Sequence, residues 1–406
     1  MVKLTDIKAV ASKQMENLLS SELGQERDLL NNLPTDTGNH ALIISGIRRC
    51  GKSTLLNQMI RQRKENAFYI NFDTPRLYGF ELADFEVLDL AISEGAYKKL
   101  YFDEIQVVDG WELYVRQKLD EGYNIVVTGS NASLLSRELG TKLTGRHITK
   151  ELFPFSFHEY SSFLNLKADR ETFEKYFLTG GFPEYAGNNN QDILHSLFND
   201  ILFRDIAVRY GIRDVNSLKR LLIFLVSNTG NLVTATKLTG SLEIKSPATV
   251  LDYLSYFEQS YLLALMPRFS HSYRAQMVNP RKVYTIDNGL IGAVSSSFTE
   301  DHGKKLENMV FWKFRREARE LFYFQEKGSE CDFVVSGAKE IQQLIQVCYE
   351  LNHENEAREI RGLLNAMEYF EQGTGVIITM NQKDEIIHNG KRIHVIPAHE
   401  FFLHDP

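Results

Sequence analysis

Two groups of residues in this 406-residue sequence have types and spacing suited to phosphate chemistry. The first is Gly46-Ile47-Arg48-Arg49-Cys50-Gly51-Lys52-Ser53, which fits G-x-x-x-x-G-K-[ST] and runs into Thr54. Glycines let such a loop turn its N–H groups inward, and a helix beginning at its end adds a partial positive charge. Lys52 would reach the β- and γ-phosphates, and the Ser53 hydroxyl would ligate Mg²⁺. The second group is Asp103-Glu104, closing the apolar run Lys99-Leu100-Tyr101-Phe102. Asp103 is the natural second holder of the metal, and Glu104 is placed to orient or deprotonate an attacking water. A second acid beside a metal-binding one points to hydrolysis rather than binding alone. The bland alternatives are a ligand-free glycine turn and solvated acids at a strand end.

Four further positions are candidates. Asn131, with Ser130 as the second choice, follows the strand Asn124 to Thr128 and could sense the γ-phosphate; a plain turn is the alternative. Arg146 could stabilise transition-state charge, in its own site or in a neighbour's, with Arg137 as the alternative; a solvated arginine is equally compatible. Arg48 and Arg49 have two readings, solvated loop charges or contacts to the nucleotide or a neighbouring subunit, and the sequence does not choose.

The elements that must position these groups are legible. Ala41 to Ile44 reads as a buried strand entering the loop. Ser53 to Arg63 reads as a helix with Leu55, Leu56, Met59 and Ile60 on one side. His147 to Leu152 reads as a last strand, and Trp111 as a packing residue. No Asn-Lys-x-Asp guanine-reading motif occurs, so the expected nucleotide is ATP with Mg²⁺.

GIRRCGKSTLL, LYFDEIQ, VVTGSNASLL and LTGRHITKELFPFSFHEY together resemble the AAA-type ATPases of bacteria and archaea that carry a C-terminal domain of uncharacterised function. The resemblance covers nearly the whole chain. It implies an α/β P-loop core in which Lys52, Ser53, Asp103 and Glu104 carry the ATPase roles.

The expected organisation is an N-terminal helical segment (1–35), an AAA-type P-loop core (36–161), a helical lid or connector (162–215), a winged-helix domain (216–292) and a restriction-endonuclease-like domain (300–406). The winged-helix reading rests on three short helices followed by a hairpin, and the resemblance implies the same. Lys245, Ser246, Thr249, Arg268, Arg274, Arg281 and Lys282 are its candidate DNA contacts, with protein packing as the alternative. Gly180-Gly181 could be a hinge, and Arg204 and Asp205 could pair in a helix contact or join a nucleotide sensor.

A metal-dependent nuclease of the restriction-endonuclease kind needs an acid on one strand and Glu-x-Lys on the next. Asp332 and Glu307 are in place, but the Glu-x-Lys positions read Gln346-Val347-Cys348. An amide is a poor ligand for a hard cation, and a thiol cannot supply lysine's charge. The expectation is a retained fold without nuclease chemistry.

A formal charge of −7 excludes a non-specific polycation, so nucleic-acid binding would need a local basic surface. Three cysteines without zinc-like spacing suit free thiols in a cytoplasmic protein. The N-terminal stretch has the helical spacing of a surface or docking helix, and no uncharged run of about 18 residues suggests a membrane span. A protein partner, or a second copy receiving an arginine in trans, stays open.

Overall fold

The computed structural model describes residues 2–63, 66–132, 142–295, 301–326, 328–337 and 340–403. Arg137 lies outside the described residues. The chain divides into two compact units, Met1–Phe153 and Pro154–Pro406. Among the described residues no helix is long and apolar enough to cross a membrane.

The first unit is built on a parallel five-stranded sheet. Its strands are β1 (Ala41–Ser45), β2 (Ala67–Asn71), β3 (Lys99–Asp103), β4 (Asn124–Gly129) and β5 (His147–Glu151), in the order β2-β3-β4-β1-β5. The central strands β1 and β3 are buried along their whole length, as continuous apolar runs in a two-sided sheet require. Because all five strands run the same way, the chain leaves β1, β3 and β4 at one common edge. The loop after β1, the acids closing β3 and the turn after β4 therefore meet there.

The N-terminal helix Leu4–Ser20 buries Ile7, Val10 and Ala11 in the core that also holds Phe72, Phe85 and Trp111. Its Gln14 side chain accepts from the Asn71 N–H (2.8 Å) and donates to the Asn71 carbonyl (3.0 Å). Those two bonds occupy main-chain groups of β2, an edge strand that would otherwise offer them to another chain.

The second unit combines helices with two further sheets. A three-stranded antiparallel sheet has the order β6 (Leu232–Val233), β8 (Arg281–Thr285), β7 (Leu263–Met266). A six-stranded mixed sheet joins β9 (Glu320–Glu326), β10 (Ser329–Ser336), β11 (Ile341–Val347), β12 (Thr374–Thr379), β13 (Asp384–His388) and β14 (Lys391–Pro397) in the order β13-β14-β12-β11-β10-β9. The pairings of β11 with β12 and of β12 with β14 are parallel, and the others are antiparallel. The helix Glu356–Tyr369 connects β11 to β12 and buries Leu363, Ala366 and Met367.

Several expectations change in this unit. Gly180-Gly181 is a close-packed junction rather than a free hinge. A Cβ on Gly180 would sit 2.1 Å from an Asp287 carboxylate oxygen, and one on Gly181 would sit 2.3 Å from the Phe155 carbonyl. Arg204 and Asp205 fall in a π-helix, Ile201–Val208, not in a regular helix. Lys282, expected on a DNA-facing hairpin, is only 1% exposed, because its strand packs inward against the helix His302–Arg316. Arg268 is half-buried and donates to the Gln325 carbonyl, whereas Lys245 and Arg274 are exposed.

Candidate functional site

β1 delivers the chain into the loop at Gly46. A Cβ there would lie 2.0 Å from the Leu152 carbonyl oxygen, so only glycine allows this approach. The loop then turns through Arg49 (φ 62°) and Gly51 (φ 102°) before the helix Lys52–Arg63 begins. The Lys52 ammonium is enclosed by its own loop, donating to the carbonyls of Gly46 (3.0 Å) and Ile47 (3.2 Å). It also lies 3.4 Å from Glu104 Oε1.

Asp103 ends β3 fully buried. Its Oδ2 accepts from the Ser53 hydroxyl (2.7 Å), the Tyr69 hydroxyl (2.9 Å) and the Asn71 amide (3.0 Å). Its Oδ1 accepts from the Thr128 hydroxyl, which in turn accepts from the Glu104 N–H at 3.1 Å. Burial, then the neighbouring Glu104, pushes the Asp103 carboxyl above the usual range, against the pull of those hydroxyl donors. The same burial and the Asp103 charge push the Tyr69 phenol up, so it stays a donor.

Glu104 takes a left-handed backbone conformation (φ 51°, ψ 36°), which costs a non-glycine residue about 1 kcal/mol or more. The turn carries its carboxylate away from Asp103 toward Lys52. Burial, the largest single influence, would raise the Glu104 carboxyl, but Lys52, Gln106, Arg48 and Ser130 together outweigh it and hold the acid below the usual range. Gln106 donates to Glu104 Oε2 (2.5 Å) and to the Ser130 hydroxyl (3.4 Å). Burial alone would lower the Lys52 ammonium, yet the Glu104 charge raises it, so both stay ionised.

The structure thus brings Lys52, Ser53, Asp103 and Glu104 into one connected network. Arg48 lies 3.8 Å from Asp73, Arg49 is exposed, and Cys50 is a buried thiol. Ser130, the second choice on sequence, is the residue in contact with Gln106, and Asn131 is buried directly after it. Arg146 is not brought to the network. Its carbonyl accepts from the Ala41 N–H at the start of β1, and its guanidinium pairs with Asp120 at 2.7 Å. That is the opposite edge of the sheet, roughly 15 Å away across a five-residue strand.

Sequence reasoning missed five contributors. Tyr69 and Asn71 lie on β2, an ordinary apolar run with nothing to mark its partner strand. Thr128 was read only as a strand residue. Arg27 comes from outside the motif: its buried guanidinium donates to the carbonyls of Cys50 (2.5 Å) and Phe153 (2.7 Å), bracing the loop from behind. Gln106, two residues past the acid pair, is the fifth; it and Thr128 lie within the recognised stretches LYFDEIQ and VVTGSNASLL, whereas the other three do not.

These groups fit a magnesium-bound triphosphate. The loop carbonyls already wrap a cationic tip, its glycines leave no side chain in the cradle, and Ser53 with Asp103 offers hard oxygen donors.

Residues 38–161 match the family described as AAA domain, and residues 170–301 match a domain of unknown function (DUF8612). The chain is 36% identical over 355 residues to the uncharacterized protein MJ1544 of Methanocaldococcus jannaschii, covering 81% of this chain and 79% of that one. It is 32% identical over 330 residues to an uncharacterized protein of Haemophilus influenzae, covering 76% and 82%. The solved structure of Cdc6p from Pyrobaculum aerophilum aligns over 74% of this chain and 94% of its own at 13% identity. Its TM-score of 0.28 is too low to carry a structural argument.

Proposed function

This chain belongs to the family of archaeal and bacterial proteins that join an AAA domain to this C-terminal region, and from that premise we propose that it is a cytoplasmic Mg²⁺-dependent ATP hydrolase. The observation that carries the reading is the pairing of Ser53 with Asp103 at 2.7 Å beside Lys52 and Glu104 at 3.4 Å. Bound magnesium would neutralise phosphate charge, held by Ser53 and Asp103. Residues Gly46 to Thr54 would wrap the phosphates. Lys52 would exchange its loop carbonyls and Glu104 for phosphate oxygens, and so release the Glu104 carboxylate. Glu104, kept ionised, would then accept a proton from water, with Gln106 and Ser130 fixing its direction. Asn131, next in the chain, is assigned to sensing the γ-phosphate. Arg146 has no part in its own chain's site under this reading; its remaining role is toward a second copy.

The test compares steady-state phosphate release and ATP binding in Glu104→Gln and the parent protein. Retained binding with turnover reduced roughly 100-fold or more is expected for a lost general base. Unchanged phosphate release would remove Glu104 from the chemistry.

The same proposal keeps the boundaries at 1–35, 36–161, 162–215, 216–292 and 300–406. Three helices, Val215–Ser227, Ala235–Leu242 and Pro247–Gln259, precede β7 and β8, which supports a winged helix-turn-helix. A helix, an antiparallel strand trio, a crossover helix and a parallel strand support a restriction-endonuclease-like fold whose Gln346 and Cys348 leave it without nuclease chemistry. ATP turnover would switch this downstream module. Its partner is better supported as a protein than as DNA. The helix Pro247–Gln259 exposes Ala248, Leu251 and Asp252, which are apolar or acidic, and a DNA-reading helix needs donors and positive charge.

A further inference from the structure

β8, β10 and the helix His302–Arg316 bring charged side chains to one buried point in the second unit. The Lys282 ammonium lies 2.8 Å from Glu307, 2.7 Å from Glu330 and 2.7 Å from Asp332. The three carboxylates come from the helix and from two positions on β10, and their oxygens surround the nitrogen. Outer groups hold Glu307 and Asp332 in place. Tyr284 donates to the same Glu307 oxygen (2.7 Å), and Lys304 to the other (2.7 Å). The Val347 N–H donates to Asp332 Oδ2 (3.0 Å), and the Asp332 N–H donates to Gln346, whose amide donates on to Glu359 (2.6 Å).

This point is reachable. A cleft of about 610 Å³ opens over it, and Glu307, Glu330, Asp332 and Gln346 form part of its wall. Carboxylate oxygens converging on one centre, with Glu307 and Asp332 braced by outer hydrogen bonds, is the arrangement proteins build around a divalent cation. Here the centre is the chain's own ammonium. Small divalent cations sit about 2.0–2.2 Å from oxygen, so each carboxylate would need to close in by only ~0.6 Å to hold one. Leaving Glu307 and Asp332 buried and ionised without a counter-charge costs several kcal/mol per ion, so the ionised cluster calls for a counter-charge. Lys282 supplies it from a strand of a different sheet.

We propose that Lys282 is a built-in cation: its ammonium fills a divalent-cation site formed by Glu307, Glu330 and Asp332, and removing that ammonium opens the site to Mn²⁺ or Mg²⁺. In the parent chain this cluster therefore works without metal, and it bolts β8 of the three-stranded sheet to β10 of the six-stranded one. The inference rests on the second unit alone and is independent of the ATP-hydrolysis reading.

The experiment uses full-length, nucleotide-free protein: the parent, Lys282→Ala, Lys282→Met, and each of these with Asp332→Asn. Mn²⁺ is titrated in, and its free signal is read by electron paramagnetic resonance alongside thermal unfolding. Comparison with Asp332→Asn separates this site from any Mn²⁺ held at Asp103. The parent should show no binding that depends on Asp332. The Lys282 variants should gain about one Mn²⁺ per chain, unfold at higher temperature when it is present, and lose roughly tenfold or more in affinity with Asp332→Asn. Asp332-dependent Mn²⁺ binding by the parent overturns the proposal. So does a folded Lys282 variant that gains no site, or failure of both variants to fold even in millimolar Mn²⁺.

Discussion

At the scale of single residues, the site separates two carboxylates that are neighbours in sequence. Asp103 faces four donors and Glu104 faces a lysine, because the backbone turns left-handed between them. Neighbouring acids on one continuing strand would point to opposite faces; the turn instead keeps both at the edge of the sheet with different partners. The missed residue Tyr69 gives a graded test. Tyr69→Phe removes one of three donors from Asp103 Oδ2 and leaves the ring packed. The expected result is a loss in turnover of under about tenfold, near 1 kcal/mol for one hydrogen bond, recovered at higher Mg²⁺. A magnesium titration of phosphate release reads this directly, and a variant as inactive as Glu104→Gln would contradict it.

At the scale of elements, Asp287 shows what holds the second unit's junctions. It caps the helix Asn288–Val294 through the Gly289 and Leu290 N–H groups, and it also accepts from Gly181 at 2.6 Å. Burial, against the pull of those N–H donors, raises its carboxyl to about 6. A raised folded value means that its stabilising contribution is complete below the unfolded value near 3.9 and is lost as pH rises through about 6. Asp287→Asn cannot ionise. Between about pH 4.5 and pH 7 the parent should therefore lose roughly 2 kcal/mol of stability relative to the variant, read by urea unfolding. A pH-independent gap would refute the assignment.

The same scale explains what the sequence made legible. The phosphate loop announced itself because glycine, lysine and serine at fixed spacing follow a buried strand, and β1, β3 and β4 stood out as apolar runs, with β5 placed after the Gly145-Arg146 pair. β2 has a comparable run but no motif beside it, so Tyr69 and Asn71 went unseen. β13 and β14 were missed despite a readable signal. Asn389 (φ 49°) and Gly390 (φ 78°) form the Asn-Gly turn that joins them, a strong local mark of a hairpin. Lys282 was misjudged for a different reason. A basic residue beside a hairpin looks like a surface charge until the fold brings distant acids to it, and no local pattern encodes that meeting. Arg146 likewise lies next to the last core strand in sequence but at its far end in space.

At the scale of the whole molecule, the proposed reading has ATP turnover in residues 38–161 switch the second unit toward a partner. DNA and a protein surface make different demands. Phosphate contacts weaken steeply with salt, so DNA binding is best sought at about 50 mM salt. With Lys282 buried, Arg268 tied to β9 and an apolar helix face exposed, no measurable DNA affinity is expected there; fluorescence anisotropy with duplex and single-stranded probes tests it, and strong, salt-sensitive binding would restore DNA as the partner. All of this presupposes that the loop at Gly46–Ser53 grips a triphosphate. The most direct measurement is the ATP affinity of Lys52→Ala against the parent protein by isothermal titration calorimetry with Mg²⁺ present. Affinity reduced by roughly 100-fold or more is the expected result, as a charge-assisted contact in a buried site implies. Affinity equal to the parent's would contradict the assignment of the site.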